Sequence, residues 1–378
     1  MAAAEKQRET FWLGRHRPRP ESDGQAENLQ LNAGARLILV GLVGFFHLLS
    51  LLPDGLLYGF GVLGGWVGYL MDRRHVKIGL SNLAIALPER SERERRRILR
   101  ASYVNLGRSA AEYVRLAGFG RQRLCRRVSY ERFGYWEELK ERYPGRGIIV
   151  LSAHFGNFEL LPTAHAMHGF PISLVHHRQR FRPGEALITY VRSRCGVTLI
   201  RQHGGGREVW RRLRSGELVG IALDQNTKRS EAVFVPFFGE PAATTGGVAR
   251  LAQLSGALVV PVFIVRQSDG RSHRIQIFDH VPLAATGDPE ADTRENTARF
   301  LQAIEAIVRR YPEQFLWTHR RYRTRLPGMP QVYGQDTDPR RKRKRNRLAA
   351  TAASAGPPAQ VPHQGNEQQN FCPGGRPA

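Results

Sequence analysis

The sequence predicts an α/β fold in which a mixed, mostly parallel sheet is flanked by helices, with apolar helices ahead of it. Apolar, β-rich runs of strand length recur from residue 147 onward, and amphipathic stretches of helix length separate several of them. Strands that alternate with helices favour parallel pairing, because a crossover helix returns the chain to the same edge of the sheet. Two uncharged runs near the N-terminus indicate an additional segment of different character.

The predicted organisation has four parts. Residues 1–30 are polar with balanced charge and are expected to be disordered, and residues 31–72 form membrane-associated helices. Residues 73–330 form the α/β domain, and residues 331–378 form a disordered basic tail. The predicted strands are Ile148–Ala153, Ile172–His176, Val219–Leu223, Ala232–Phe237, Leu258–Val265 and Ile275–Phe278. The predicted helices of the domain include Leu187–Arg194, Glu208–Arg214, Gly247–Leu254 and Thr293–Arg310.

The apolar segment consists of two uncharged runs, Leu37–Leu52 and Leu56–Met71, separated by Pro53-Asp54-Gly55. As a helix, each run is about 24 Å long, slightly short of the ~30 Å hydrocarbon core of a bilayer. Three interpretations stay open: the first run spans the membrane, the two runs form a shallow hairpin, or both are buried core helices. Five glycines in the second run favour close helix contact.

The charge of the chain is strongly positive, with a formal net charge of +24. Residues 31–330 retain +19 of it, so the basic tail does not explain the excess. Residues 72–127 carry 15 basic and five acidic side chains directly after the apolar segment. The positive-inside rule then predicts that most of the protein faces the cytoplasm. Polyanionic partners are favoured, namely nucleic acid, anionic lipid headgroups or an acidic carrier protein, and charge does not choose among them.

The candidate catalytic residues follow the first buried strand of the domain. His154 comes directly after Ile148–Ala153, at the edge where open α/β sheets place their ligands, and Glu159 follows five residues later. If Gly156 bends the chain before a helix, Glu159 can reach back to the imidazole. A carboxylate on one ring nitrogen fixes the tautomer and leaves the other nitrogen free as a base. The spacing alone is also compatible with a core histidine beside a surface glutamate.

The segment from His154 to Glu159 closely resembles the signature of bacterial lipid A biosynthesis acyltransferases, the late lauroyl and myristoyl transferases. Four further segments resemble motifs of that family in the same order, and the resemblance spans roughly residues 35–327. These segments are Val175–Arg178, Ala222–Asn226, Val233–Gly246 and Pro312–Arg321. The chain departs from the family pattern at His177, where a tyrosine is frequent, and in the threonine run that ends at Thr245.

The resemblance implies a glycerolipid acyltransferase-like fold and transfer of a fatty acyl chain to a hydroxyl of a lipid A precursor. The donor is then the thioester of an acidic acyl carrier protein or of CoA, with neither a further cofactor nor a metal. His154 acts as the general base with Glu159. The expected location is the cytoplasmic face of the bacterial inner membrane.

The resemblance also assigns substrate-binding residues. It implies an anion- or oxyanion-stabilising role for Arg178 and a polar-network role for Asp224. Other matching positions are expected to line the acceptor or acyl pocket, or to bind headgroup phosphate or support the fold. These positions are Gln225, Thr244, Thr245, Arg320 and Arg321.

Other functions stay open at this stage. The same catalytic pair would serve acylation of another glycolipid, such as a phosphatidylinositol mannoside, or of a lysophospholipid. A non-enzymatic protein that binds nucleic acid or anionic membranes would explain the charge, but no helix-turn-helix, zinc-finger or RNA-binding pattern occurs, so no specific nucleic acid is expected. The pair His165 and His168 has helical spacing for a metal but no accompanying carboxylate motif. Cys195 is a further candidate nucleophile.

Overall fold

A computed structural model describes residues 31–334. The predicted disorder of residues 1–30 and of the tail from residue 335 lies outside the described residues. The α-helices are α1 (Ala33–Leu49), α2 (Asp54–Met71), α3 (Arg73–Ala86), α4 (Glu92–Ala117), α5 (Arg121–Cys125), α6 (Tyr135–Arg142), α7 (Leu160–Met167), α8 (Arg182–Arg194), α9 (Gly206–Arg214), α10 (Gly247–Ser255) and α11 (Pro289–Arg310). The strands are β1 (Val128–Tyr130), β2 (Ile148–Ser152), β3 (Ile172–His176), β4 (Val197–Arg201), β5 (Leu218–Ala222), β6 (Ala232–Phe237), β7 (Glu240–Thr245), β8 (Leu258–Arg266) and β9 (His273–Ile277).

The main sheet confirms the predicted fold class. Its seven strands have the order β1-β9-β8-β2-β5-β3-β4, and the pairs are parallel except for the antiparallel pair β8–β9. Strands β6 and β7 form a separate antiparallel hairpin. The strand predicted at Ala232–Phe237 is therefore present but belongs to this hairpin, and β1, β4 and β7 were not predicted.

The central strands are buried on both faces, which is why their sequences are continuously apolar. Along β2, Ile149 and Leu151 belong to one hydrophobic cluster, whereas Ile148 and Val150 belong to the other. Helices α10 and α11 contribute to the first cluster, and α6, α7 and α8 contribute to the second. The helices thus cover both faces of the sheet and leave its carboxyl edge to the loops.

Helix α2 lies unusually close to α4. A Cβ atom on Gly61 would be 2.6 Å from the carbonyl oxygen of Gly107, and one on Gly65 would be 2.5 Å from the carbonyl oxygen of Tyr103. The two glycines are four residues apart and therefore share one face of α2. Their missing side chains permit the contact, which confirms the predicted close helix packing.

The α1–α2 pair bends by 118° at the break between the helices. Within residues 31–334, no single helix is long and apolar enough to cross a bilayer, whereas this bent pair qualifies by length and composition. Helix α1 contains no buried residue, and α2 buries Leu57, Tyr58 and Gly65. Thirteen of the twenty large hydrophobic side chains that are exposed in residues 31–334 lie between Leu37 and Met71. The interpretation of both runs as buried core helices is therefore wrong.

Candidate active site

His154 and Asp224 meet because they follow neighbouring parallel strands. Ser152, the last residue of β2, is in register with Ala222, the last residue of β5. Each site residue lies two positions beyond its strand, so both side chains reach the same point at the carboxyl edge of the sheet. The prediction of a ligand site at this edge rested on the strand before His154 alone.

The contact between the two side chains is a short hydrogen bond. Nδ1 of His154 lies 2.9 Å from Oδ1 of Asp224, and the backbone N–H of His154 donates to the same oxygen at 3.1 Å. The side chain of Asp224 is 2% exposed, whereas that of His154 is 25% exposed. An ionised carboxylate only accepts hydrogen bonds, so Nδ1 carries the proton and Nε2 is left as the basic nitrogen.

The pKa values of the pair shift in the directions expected for an ion pair. Burial on its own lowers the pKa of His154, but the charge and hydrogen bond of Asp224 raise it above the ordinary value of histidine. Burial likewise raises the pKa of Asp224, and the imidazole more than offsets that effect, so the pKa of this carboxyl lies below its usual value. The arrangement therefore stabilises an imidazolium once Nε2 has taken a proton.

The imidazole of His154 is partly exposed, and two side chains lie beside it. The side-chain amide nitrogen of Gln225 lies 3.1 Å from Nε2 of His154, and Gln225 itself is exposed. The ring of Phe158 packs edge-on at 5.0 Å between centroids. A group that approaches Nε2 therefore meets a polar amide and an aromatic ring.

Gly156 makes the turn that carries His154 out of the sheet. Its φ of +60° lies in the left-handed region, and a Cβ there would be 1.8 Å from the carbonyl oxygen of Ile264. Its backbone N–H donates to the carbonyl of Gln314 at 2.8 Å, and its carbonyl accepts from Asn105 at 3.3 Å. The predicted bend at Gly156 is thus present, and it is fixed by α4 and the segment after α11.

A buried polar network holds the next residue of the turn. Asn157 donates to Glu112 of α4 at 2.6 Å, and the same carboxylate accepts from Arg266, from His273 at 3.0 Å and from Tyr58 at 2.9 Å. Glu112 is fully buried. Burial raises the pKa of Glu112, but His273 and Arg266 lower it to about 2 overall, so the charge is retained. The network joins α2, α4, β8 and β9 to the turn that carries His154.

Glu159 does not occupy the predicted position against the imidazole. It precedes α7 rather than lying one turn within a helix, and Arg192 of α8 donates to both of its oxygens at 2.9 Å. Nε of Arg192 adds a third contact at 3.1 Å. Asp224 instead accepts the hydrogen bond from Nδ1 of His154, because the register of β2 and β5 brings the two residues together. The charge of Glu159 nevertheless contributes to the raised pKa of His154.

Arg192 is one residue of this site that sequence reasoning missed. It lies in the last turn of α8, where basic residues are common for reasons of helix electrostatics alone. Nothing in the local pattern therefore distinguishes it from its neighbours.

Comparison with known proteins identifies the family. The sequence profile for "Bacterial lipid A biosynthesis acyltransferase" matches residues 31–324. The chain belongs to this family.

Curated relatives support this assignment over nearly their full length. The chain is 30% identical to the lipid A biosynthesis lauroyltransferase of Escherichia coli strain K12 over 298 residues, which cover 77% of this chain and 93% of the relative. It is 28% identical to the palmitoleoyltransferase of the same strain over 303 residues, with 77% and 92% covered. For the myristoyltransferase the identity is 27% over 300 residues, with 79% and 90% covered. The protein is thus an acyltransferase of the lipid A biosynthesis family, and the resemblance inferred from the motifs is confirmed.

The other predicted site residues of this acyltransferase fall into two groups. Thr244 and Arg321 are buried and bond each other at 2.5 Å, while Arg321 also donates to the carbonyl of Ala243 at 2.8 Å. Burial lowers the pKa of Arg321 to about 10. These two residues tie the closing segment to β7, which agrees with the predicted role of Arg321 in supporting the fold. Substrate contact by either residue stays a prediction.

The remaining predicted residues lie nearer the surface. Arg178 is exposed in the loop after β3, and it forms no ion pair with a carboxylate of residues 31–334. Thr245 is partly exposed and accepts from the backbone N–H of Gly247 at 3.2 Å. Arg320 is partly exposed beside the buried Arg321. Substrate contact by these residues and by Gln225 stays a prediction.

Two other candidates from the sequence, His165 and Cys195, have structural surroundings in this acyltransferase. His165 is buried among aromatic rings, and burial lowers its pKa to about 3. Cys195 is buried, and burial raises its pKa to about 11, so the thiol stays protonated. Within residues 31–334 no group of three or more histidine, cysteine or acidic side chains is placed to hold a metal.

Proposed function

We propose that this acyltransferase moves a fatty acyl chain from a carrier thioester to a hydroxyl of a lipid A precursor, with His154 as the general base. The observation that carries the proposal is the hydrogen bond from Nδ1 of His154 to the buried carboxylate of Asp224. It leaves Nε2 basic at a partly exposed position. Family membership supplies the reaction class, and the relatives are named for lipid A acyl transfer.

The reaction follows from general base chemistry. Nε2 of His154 removes the proton of the acceptor hydroxyl while the oxygen forms a bond to the thioester carbonyl carbon. The tetrahedral oxyanion then collapses, the C–S bond breaks, and the imidazolium returns its proton to the leaving thiolate. The products are an ester and a thiol, without a covalent intermediate on the protein. Asp224 stabilises the imidazolium throughout by its hydrogen bond and charge.

Glu159 and Arg192 act in this proposal as a charged pair beside the base. Burial and the guanidinium of Arg192 lower the pKa of His154, whereas Asp224 and, more weakly, Glu159 raise it. Because Glu159 neutralises most of the nearby guanidinium charge, the imidazolium can form without facing an uncompensated cation. Glu159 is therefore a positioning and electrostatic residue, and Asp224 is the imidazole's direct partner.

We further propose that α1 and α2 insert into the cytoplasmic leaflet of the inner membrane as a bent hairpin. The exposed apolar side chains between Leu37 and Met71 support this, as does the bend of 118° between the helices. Basic residues of α3 and α4 follow directly, at the place where anionic headgroups attract them. The lipid acceptor would then reach the site from the bilayer, while the soluble carrier reaches it from the cytoplasm.

The test compares the purified full-length protein with His154→Ala, using a labelled acyl-carrier thioester and a Kdo-bearing lipid A precursor. We expect transfer by the wild type and a loss of about 10²–10⁴-fold in the variant, the usual contribution of a general base. His75→Ala is the matched control, because His75 also contacts a carboxylate, that of Asp72 at 2.8 Å, but is exposed. That control should retain activity.

Three outcomes would change the assignment. The protein could transfer the acyl chain to a phosphatidylinositol mannoside or a lysophospholipid but not to the lipid A precursor. The assignment of the acceptor would then be wrong, while acyl transfer with His154 as the base would stand. Full activity of the His154 variant would reject the general base. Absence of transfer to every acceptor, together with tight and salt-sensitive binding of RNA or DNA, would reject catalytic function for this chain.

A further inference from the structure

A large cavity separate from the His154–Asp224 pair opens beside α4. Its volume is about 550 Å³, within the range of small-molecule sites. Helix α4 forms one wall, the turn between β8 and β9 forms another, and the segment after α11 forms the third. Trp66 of α2 lies at its border and is 40% exposed. The cavity thus adjoins the exposed apolar surface of the N-terminal helices.

The wall formed by α4 is strongly basic. Arg97, Arg100 and Arg108 line it together with Val104. These positions are separated by three or four residues, so they share one face of the helix. A row of three arginines on one face of α4 therefore borders the cavity.

The charges of this wall are not compensated within residues 31–334. Arg266 also lines the cavity, but its guanidinium is bound by the buried Glu112. None of the three α4 arginines that line the cavity forms such an ion pair with a described carboxylate. Glu313 is the one acidic residue among the described lining residues. Three guanidinium groups therefore face one carboxylate, which favours an anion in the cavity.

The surroundings of Arg108 add to this imbalance. Burial lowers the pKa of Arg108, and the positive charge of Arg266 lowers it further. A guanidinium stays protonated under such conditions, so its charge is held at an energetic cost. Arg100 lies over the ring of Trp66, with its guanidinium carbon 4.9 Å from the ring centroid. That contact orients Arg100 at the border between the cavity and the apolar helices.

The inner wall of the cavity is shared with the catalytic turn. Asn105 and Gln314 both line the cavity. Asn105 donates to the carbonyl of Gly156 at 3.3 Å, and the N–H of Gly156 donates to the carbonyl of Gln314 at 2.8 Å. Gly156 is two residues from His154. A ligand in the cavity is therefore separated from the catalytic turn by a single layer of side chains.

We propose that this cavity binds a phosphate ester of the glycolipid acceptor, with Arg100 and Arg108 as its principal ligands. The inference rests on the proposed function and names how the acceptor is held. Guanidinium groups bind phosphate oxygens through paired, charge-assisted hydrogen bonds. A phosphate in the cavity would place the lipid chains of the same molecule beside α2, because Trp66 of α2 borders the cavity and adjoins the exposed apolar surface of that helix.

The experiment compares Arg100→Gln/Arg108→Gln with Arg207→Gln/Arg214→Gln in the full chain. The second pair removes the same charge from exposed positions of α9, away from the cavity. We expect the first variant to raise KM for the phosphorylated acceptor at least about tenfold, with kcat within about twofold. KM for the thioester should stay unchanged, and the α9 variant should resemble the wild type.

A dephosphorylated acceptor and inorganic phosphate identify the group that is recognised. The wild type should prefer the phosphorylated acceptor, and this preference should disappear in Arg100→Gln/Arg108→Gln. Inorganic phosphate should compete with the acceptor in the wild type more strongly than in that variant. An equal rise of KM for both acceptors, or a rise for the thioester instead, would overturn the proposal.

Equilibrium binding separates the site from the catalytic assignment. Binding of labelled acceptor in detergent micelles does not require turnover. Phosphate-dependent binding that is lost in Arg100→Gln/Arg108→Gln would support the site even if no transfer occurred, and the failure would then belong to the proposed reaction. Unchanged binding would overturn the site. Arg100→Lys/Arg108→Lys, which keeps the charge, should lie between the wild type and the glutamine variant, whereas a folding defect would make both variants equally poor.

Discussion

Asp224→Asn tests the partner of the imidazole directly. The substitution keeps the size of the side chain but replaces a buried carboxylate, 2% exposed and 2.9 Å from Nδ1 of His154, with a neutral amide. A hydrogen bond to a charged group contributes about 1.5–3 kcal/mol. If that bond stabilises the imidazolium in the transition state, its loss lowers kcat/KM about ten- to hundredfold. Low exposure means that solvent screens the interaction little.

The pH dependence gives a second and more specific readout. Asp224 raises the pKa of His154, whereas burial lowers it. Without the carboxylate the pKa must fall, so the base is deprotonated at lower pH and the acid limb of kcat/KM moves to lower pH. The assay measures kcat/KM for the thioester and acceptor between about pH 5 and 9. A variant that had merely lost folded protein would show a smaller amplitude with an unmoved limb.

Glu159→Gln provides the decisive comparison. In the structure its carboxylate is bound by Arg192, and its effect on the pKa of His154 is smaller than that of Asp224. We therefore expect a smaller displacement of the acid limb than in Asp224→Asn. The reasoning is refuted if Glu159→Gln displaces the limb strongly and Asp224→Asn leaves it in place. That result would restore Glu159 as the direct partner of the imidazole.

Three further predictions concern stability and membrane contact. Gly61→Ala should lower the melting temperature, because the added Cβ would lie 2.6 Å from a carbonyl oxygen of α4. The control is Gly64→Ala, where the added Cβ meets open space, so the substitution should stabilise the helix by up to about 1 kcal/mol. Equal shifts of the melting temperature in calorimetry would contradict this. Glu112→Gln should destabilise the protein by about 3–5 kcal/mol in denaturant titrations, since a buried arginine loses its counter-ion. Because the pKa of Glu112 is lowered to about 2, its contribution is present above its unfolded pKa near 4.5 and is lost as the pH falls towards 2. Leu63→Asn should reduce flotation with anionic vesicles, while Leu254→Asn, also exposed but in α10, should not.

Much of the fold follows from local patterns in the sequence. Continuous apolar runs identify β2 and β8 because these strands are buried on both faces, and alternation with helices indicates parallel pairing. The short edge strands β1 and β4 were not predicted. Val197–Arg201 has only two fully buried residues, so its pattern is weaker than that of a central strand. The hairpin partner β7 begins with Glu240, Pro241 and two alanines, which are depleted in strands, and only its last two residues, Thr244 and Thr245, favour one.

The candidate site was predicted in composition but not in pairing. His154 and Asp224 are 70 residues apart, and they meet through the register of β2 and β5. A register is a property of two strands together, so neither local sequence contains it. Glu159 was preferred as the partner because it is near in sequence. The spacing did not fix the direction of Glu159 either, since a chain reversal at Gly156 can point a residue three positions later in several directions.

The pairing of Glu159 with Arg192 shows what decides between two carboxylates for one imidazole. Arg192 offers Glu159 three contacts of 2.9–3.1 Å, and a guanidinium holds a carboxylate more strongly than a neutral imidazole does. Asp224 also accepts from the backbone N–H of His154, so it is fixed with respect to the residue it serves. Glu159 thus accepts from the guanidinium of Arg192, and Asp224 accepts from the ring and the backbone N–H of His154. A histidine with two nearby carboxylates is then expected to pair with the one that lacks a competing arginine, and its sequence neighbour has no intrinsic advantage.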